Sequence, residues 1–215
     1  ATLPKITSER MEICHELAPI LVEAIERLES AQHGWIVAHI NRTEFTVEVA
    51  QALSAIRCED LLRRFFDWQS YHTRYEPIEV QIPAALSLAS QADDAVRHSR
   101  AIHDWFQRLS DWLQERTPSA PRKPTNWQRP SKLSCKCVDC VQLAEFLASP
   151  SRAEARFPLA KQRRQHLHQI IDREQCDCTH ETLRFGSPQV LVCKKTNRSY
   201  DRACQEYERD RQYLE

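Results

Sequence analysis

Three thiols within six residues, Cys135-Lys136-Cys137-Val138-Asp139-Cys140, are the part of this chain best suited to do chemistry. Cys137-x-x-Cys140 is the spacing at which a tight turn presents two thiolates to one ion, and Cys135 joins them if the backbone bends. Zinc takes four such ligands in a tetrahedron, with sulfur at about 2.3 Å. Lys136 lies between the thiolates and offsets part of their charge. The fourth ligand must come from elsewhere, and His166 is the favoured candidate, with Cys176 or Cys178 as rivals. Cys176-Asp177-Cys178-Thr179-His180, with Cys193, offers a second site. In an extended segment, however, alternate residues stand about 6.5–7 Å apart, too far for three of them to share one ion.

The elements that position these residues follow from the pattern. Val141–Leu147 reads as a helix starting at the knuckle and stopped by Ser149-Pro150, its amide dipoles favouring thiolate. A second helix is expected from about Leu159 to Glu174 with Leu167, Ile170 and Ile171 inward. His166, one turn before Ile170, shares part of that face, whereas His168 points away. Glu181–Phe185 and Val190–Lys194 flank Gly186-Ser187-Pro188 as a β-hairpin. A charged helix, Ser199–Leu214, closes the chain. Residues 135–215 thus read as a small α+β zinc-binding module with one β-hairpin.

Upstream, residues 1–116 read as a helical bundle, making the protein mainly α. Thr7-Ser8-Glu9 starts a helix to about Ala31, whose apolar stripe is Met11, Ile13, Cys14, Leu17, Leu21, Ile25 and Leu28. Pro19 should kink or split it, and His33-Gly34 should end it. Trp35–Ile40 is an apolar run of undecided type. Thr43-Glu44 looks like the cap of a helix carrying Phe45, Val49, Leu53 and Ile56, and Leu61–Trp68 continues it or begins the next. Pro83 suits a helix first turn, and a long helix is expected from about Gln91 to Glu115. His98 and His103 lie five apart on it, on different faces, and read as surface residues. Residues 117–134, rich in Pro and basic side chains, read as a semi-extended linker anchored by Trp127.

The formal net charge of zero hides a division. Residues 1–116 carry 12 Lys and Arg against 18 Asp and Glu, and residues 117–215 the reverse, 18 against 12. The basic half makes Arg163, Arg164, Lys194, Lys195 and Arg198 candidates for contacting nucleic acid or an acidic partner. No run approaches the ~18 apolar residues of a membrane span. Nine cysteines, an odd number, with C-x-C pairs beside histidines, suit thiolate ligands in a reducing compartment, nuclear or cytoplasmic, better than disulfides. The chain opens without Met and enters helix at once, so it reads as a piece of a longer protein with upstream domains missing.

Ser134–Cys140, Leu143-x-x-Phe146-Leu147-x-x-Pro150, Arg163–Leu167 and Gly186–Thr196 together resemble an uncharacterised cysteine-rich C-terminal segment of long fungal proteins. Some of these carry a 2-oxoglutarate/Fe(II) oxygenase-type domain further upstream. The resemblance spans about residues 127–215; it implies a fungal origin and favours the knuckle plus His166, but supplies no activity. An oxygenase needs an H-x-D/E pair and a distant His, and neither His15-Glu16 nor His103-Asp104 is one. Cys137-x-x-Cys140 lacks the H-x-E of zinc deaminases and the βαβ setting of a redox dithiol. The expectation is therefore a non-catalytic, zinc-stabilised module that recruits a protein or nucleic-acid partner. The alternatives are a purely structural zinc scaffold or oligomerisation element and, further off, a zinc- or thiol-dependent enzyme.

Overall fold

A computed structural model of the chain describes residues 8–30, 40–91 and 93–215. The expected cap at Thr7, the stop at His33-Gly34 and most of the Trp35–Ile40 run lie outside the described residues. The protein is mainly helical with a small antiparallel sheet, and it divides into two compact units. One comprises Ala1–Arg116 with Tyr213–Glu215, and the other Thr117–Gln212.

In the first unit, α1 (Ser8–Ser30) runs as one element through Pro19. It buries Ala18 and Val22, with Met11, Cys14 and Ile25 partly buried against the core, while Ile13, Leu17 and Leu21 are exposed. The inward stripe is thus 11-14-18-22-25, which leaves out Ile13, Leu17 and Leu21 of the expected apolar stripe. Asn41, rather than Thr43-Glu44, caps α2 (Arg42–Ala55), its Oδ1 accepting from the Glu44 amide at 3.3 Å. After α3 (Glu59–Tyr71) and a π-helical turn (Pro77–Gln81), Pro83 sits in the first turn of α4 (Ile82–Ser90).

The expected long helix from Gln91 to Glu115 is two: α5 (Asp94–His98) and α6 (Arg100–Arg116). Ser99 breaks it, and Glu59 fills the break, its carboxylate accepting from the Ala101 amide at 2.8 Å and the Ser99 hydroxyl at 3.1 Å. The core of this unit is aromatic. Phe66 stacks on Trp105 with ring centroids 4.1 Å apart, and the buried Trp105 indole donates to Gln81 Oε1 at 3.2 Å.

In the second unit, residues 117–134 are not a free linker. Their backbone pairs with the chain at the end of the helix that follows the cysteine knuckle, Trp127 N–H to Pro150 O at 2.9 Å and Arg129 N–H to Leu147 O at 2.8 Å. The anchor is Arg129 rather than Trp127, which is partly exposed. Arg129 is 6 % exposed, and its guanidinium donates to the carbonyls of Asn126, Gln128 and Thr196 and to Asn197 Oδ1. Five donors in a rigid fork let one side chain tie this strap across the unit.

Helix α7 (Val138–Ala148) starts at the knuckle as expected. The sheet has three strands rather than a hairpin alone, in the order β1-β3-β2. β1 (Glu154–Pro158) pairs antiparallel with β3 (Val190–Lys195), which also pairs with β2 (Cys178–Leu183). β1 ends in proline, which an edge strand tolerates. The Gly186 φ of +85° turns the β2–β3 connection. Between the strands runs α8 (Lys161–Arg173), and α9 (Arg198–Gln212) follows β3. Asp177, buried, accepts from the Ser199 amide at 2.7 Å and so fastens the first turn of α9. Leu143, Phe146 and Leu147 of α7, Leu167, Ile170 and Ile171 of α8, and Phe157, Leu191 and Cys193 of the sheet form one core.

Candidate metal centre

Helices α7 and α8 carry the site between them. Cys137 is the residue preceding the first turn of α7, and its extended backbone (φ −64°, ψ 161°) turns the chain so that Cys135, Cys137 and Cys140 converge. His166 reaches them from α8, where the core packing of Leu167, Ile170 and Ile171 fixes its rotation. Its Nε2 stands 3.4, 3.5 and 3.3 Å from the sulfurs of Cys135, Cys137 and Cys140. All four ligand atoms lie within 4.8 Å of one another. The sulfur–nitrogen edge of a tetrahedral zinc site is about 3.6 Å for the usual bond lengths. The donor set and its spacing therefore fit one ion at the centre of the four atoms, and the cluster can hold a metal.

The electrostatics point the same way. The Cys140 backbone amide, in the first turn of α7, pulls the Cys137 thiol down to about 7. Burial and the neighbouring thiols push Cys140 up. Three sulfurs this close cannot all ionise against one another, so the full thiolate set requires a cation among them.

Two clamps hold the knuckle to α8, on either side of His166. Asp139, buried within the knuckle, takes a two-pronged pair from Arg163 at 2.5 and 2.8 Å, and the guanidinium holds its carboxyl below the usual range. Ser134 donates its amide and hydroxyl to Glu174, the residue after α8; the hydroxyl is the main reason the Glu174 carboxyl is lowered. From sequence, Arg163 reads only as a cation available to an acidic partner. The i, i+3 spacing of Arg163 and His166 was the signal that one helix face serves both. Lys136 does not sit between the thiolates; its ammonium donates to Leu133 O at 3.2 Å.

The rival ligands lie elsewhere. Among the described residues, Cys176, Cys178, His180 and Cys193 form no grouping suited to a metal. Cys176, Cys178 and Cys193 are buried, and burial pushes the Cys176 thiol up to about 12. Cys193 is held as the thiol chiefly by its hydrogen bond to Cys178, on the adjacent strand. His180 turns instead to Asp172 and His168 of α8, so His168, expected to face away, meets the sheet.

The basic candidates are also redistributed. Arg164 is buried and donates to the carbonyl of Leu159 and to Gln189 Oε1. Lys195 is buried, donating to Trp127 O at 2.6 Å and Ser149 O at 2.7 Å, with its ammonium 4.7 Å from the Phe146 ring centre. These two cations hold the fold together and are withdrawn from any partner. Lys194 and Arg198 remain exposed, Lys194 near Glu154. No helix among the described residues is long and apolar enough to cross a membrane. Compared with known proteins, the chain matches no family model, no curated protein and no solved structure.

Proposed function

We propose that residues 117–212 form a zinc-stabilised module that recruits a protein partner, non-catalytic and working in a reducing compartment, nuclear or cytoplasmic. The observation that carries this reading is the closed ligand set: three thiols and one imidazole fill a tetrahedron and leave no position for substrate. Soft thiolates with one imidazole favour zinc over harder divalent ions. A structural zinc of this kind holds a surface in place, and the surface it holds carries Val138 and Val141, 68 % and 44 % exposed, on the first turn of α7. Apolar side chains on a metal-fixed turn suit a protein contact. With Arg164 and Lys195 engaged in the fold and Arg163 paired with Asp139, nucleic-acid binding is the weaker version of the reading.

Elemental analysis of the purified full chain tests the metal: one equivalent of zinc, lost on mutation of Cys140 or His166, is expected. For recruitment, nuclease-treated extract is passed over the zinc-loaded protein and over a Val138→Asp/Val141→Asp variant that keeps its zinc. A partner retained by the first and lost by the second supports the module. Identical retention returns the knuckle to a purely structural scaffold. A salt-dependent shift with labelled RNA or DNA would restore the nucleic-acid version.

A further inference from the structure

Away from the knuckle, α8 and β2 bring two imidazoles face to face. His168 Nδ1 and His180 Nδ1 stand 2.5 Å apart, with ring centres 4.7 Å apart. That separation is short of an ordinary nitrogen–nitrogen hydrogen bond and lies within about 1 Å of the N···N edge of a metal's coordination shell. The other nitrogen of each ring has its own partner. His180 Nε2 is 3.0 Å from Asp172 Oδ1, and His168 Nε2 is 3.0 Å from Thr182 Oγ1.

A metal-bound histidine characteristically donates its second ring N–H to a carboxylate or another oxygen, which fixes the tautomer and aims the free lone pair. Both rings here have such an outer oxygen, Asp172 Oδ1 on His180 and Thr182 Oγ1 on His168, and in the tautomers that donate to them the two Nδ1 lone pairs face each other, an arrangement that calls for a cation between them. The His180 side chain is 15 % exposed, so its ring is not sealed from solvent.

We infer that His168 and His180 form a second, open metal site that binds a divalent first-row transition-metal ion through their two Nδ1 atoms. Two imidazoles leave the remaining coordination positions to water or an incoming ligand, so this ion exchanges readily, unlike one enclosed by three thiolates. The donor set is all nitrogen, and the buried Cys178 and Cys193 take no part.

The test uses the full chain with its knuckle filled by zinc, which thiolates prefer to cobalt. Added Co²⁺ is expected to bind as a further equivalent with weak visible bands and no thiolate charge-transfer absorption in the near ultraviolet. His168→Ala and His180→Ala should abolish that equivalent while zinc content and circular dichroism stay unchanged. Asp172→Asn, which keeps both ligands but loses the outer carboxylate, should weaken it by roughly 10–100-fold. Absence of a cobalt equivalent in the folded wild type would overturn the inference, as would an equivalent that survives both histidine variants. Strong thiolate absorption in the added equivalent would also overturn it and assign the metal to sulfur. A failure of the knuckle to hold zinc is read separately, from the zinc content.

Discussion

The two units solve the same problem, stabilising about a hundred residues, with different materials. In the first, large apolar rings do the work: Phe65, Phe66 and Trp105 are fully buried, and the polar atoms among them are paired through Gln81 and Tyr75 O. In the second, four of the fourteen buried core residues are cysteines, side chains that each remove less apolar area from water than a leucine or phenylalanine. The difference is made up by directional links: Arg129 and Lys195 tying carbonyls, and the Cys135/Cys137/Cys140/His166 cluster joining α7 to α8. On the proposed reading, a core completed by a metal-holding cluster should respond to chelation, and a core that leans on rings should not.

Chelation is accordingly the largest expected effect. Structural zinc in small domains contributes on the order of 10–16 kcal/mol at neutral pH, comparable to the whole stability of a domain. Stripping the metal should melt residues 117–212 and leave the first unit folded. Hydrogen exchange read by mass spectrometry would show α7 and α8 deprotected while α3 and α6 stay protected. Acid should act in the same direction, because the thiols must give up protons to bind metal and regain them as pH falls. Equal deprotection of both units would break the comparison.

The converse experiment is Trp105→Ala. It empties the stack on Phe66 and strips Gln81 Oε1 of its donor, at a cost of about 3–5 kcal/mol. Only the transition of the first unit should move, and the zinc content should not change. Asp139→Ala is expected to be smaller still. It leaves all four ligands but frees the knuckle from Arg163, so metal affinity should fall by about 10–100-fold in a competition titration with a chromophoric chelator.

How much of this was legible depends on whether the information is local. The knuckle was, since Cys137-x-x-Cys140 encodes its own turn, and so was the rotation of α8 that carries His166, because Leu167, Ile170 and Ile171 mark the inward face. The break at Ser99 was not, because the group that stabilises it, Glu59, lies forty residues away. β1 was missed because five residues ending in proline carry too little alternation to stand out, and its pairing is with β3, more than thirty residues on. The fates of Arg164 and Lys195 were invisible for the same reason. A basic residue reads as a surface charge until the carbonyls that bury it are known.

The finest distinction concerns the two clamps on the knuckle. Asp139–Arg163 is buried on its acidic side and forms two parallel bonds, whereas in the Ser134–Glu174 contact Ser134 is exposed and water competes for its hydroxyl. Ser134→Ala removes one hydroxyl donor but leaves the Ser134 amide on Glu174. A contact of this type, one of whose hydrogen bonds survives the substitution, contributes little. Metal affinity in Ser134→Ala should therefore drop no more than about fivefold, clearly less than in Asp139→Ala, when both are measured by the same chelator competition. An equal or larger loss would mean that the entry of the chain into the knuckle, rather than its anchoring on Arg163, sets the position of Cys135.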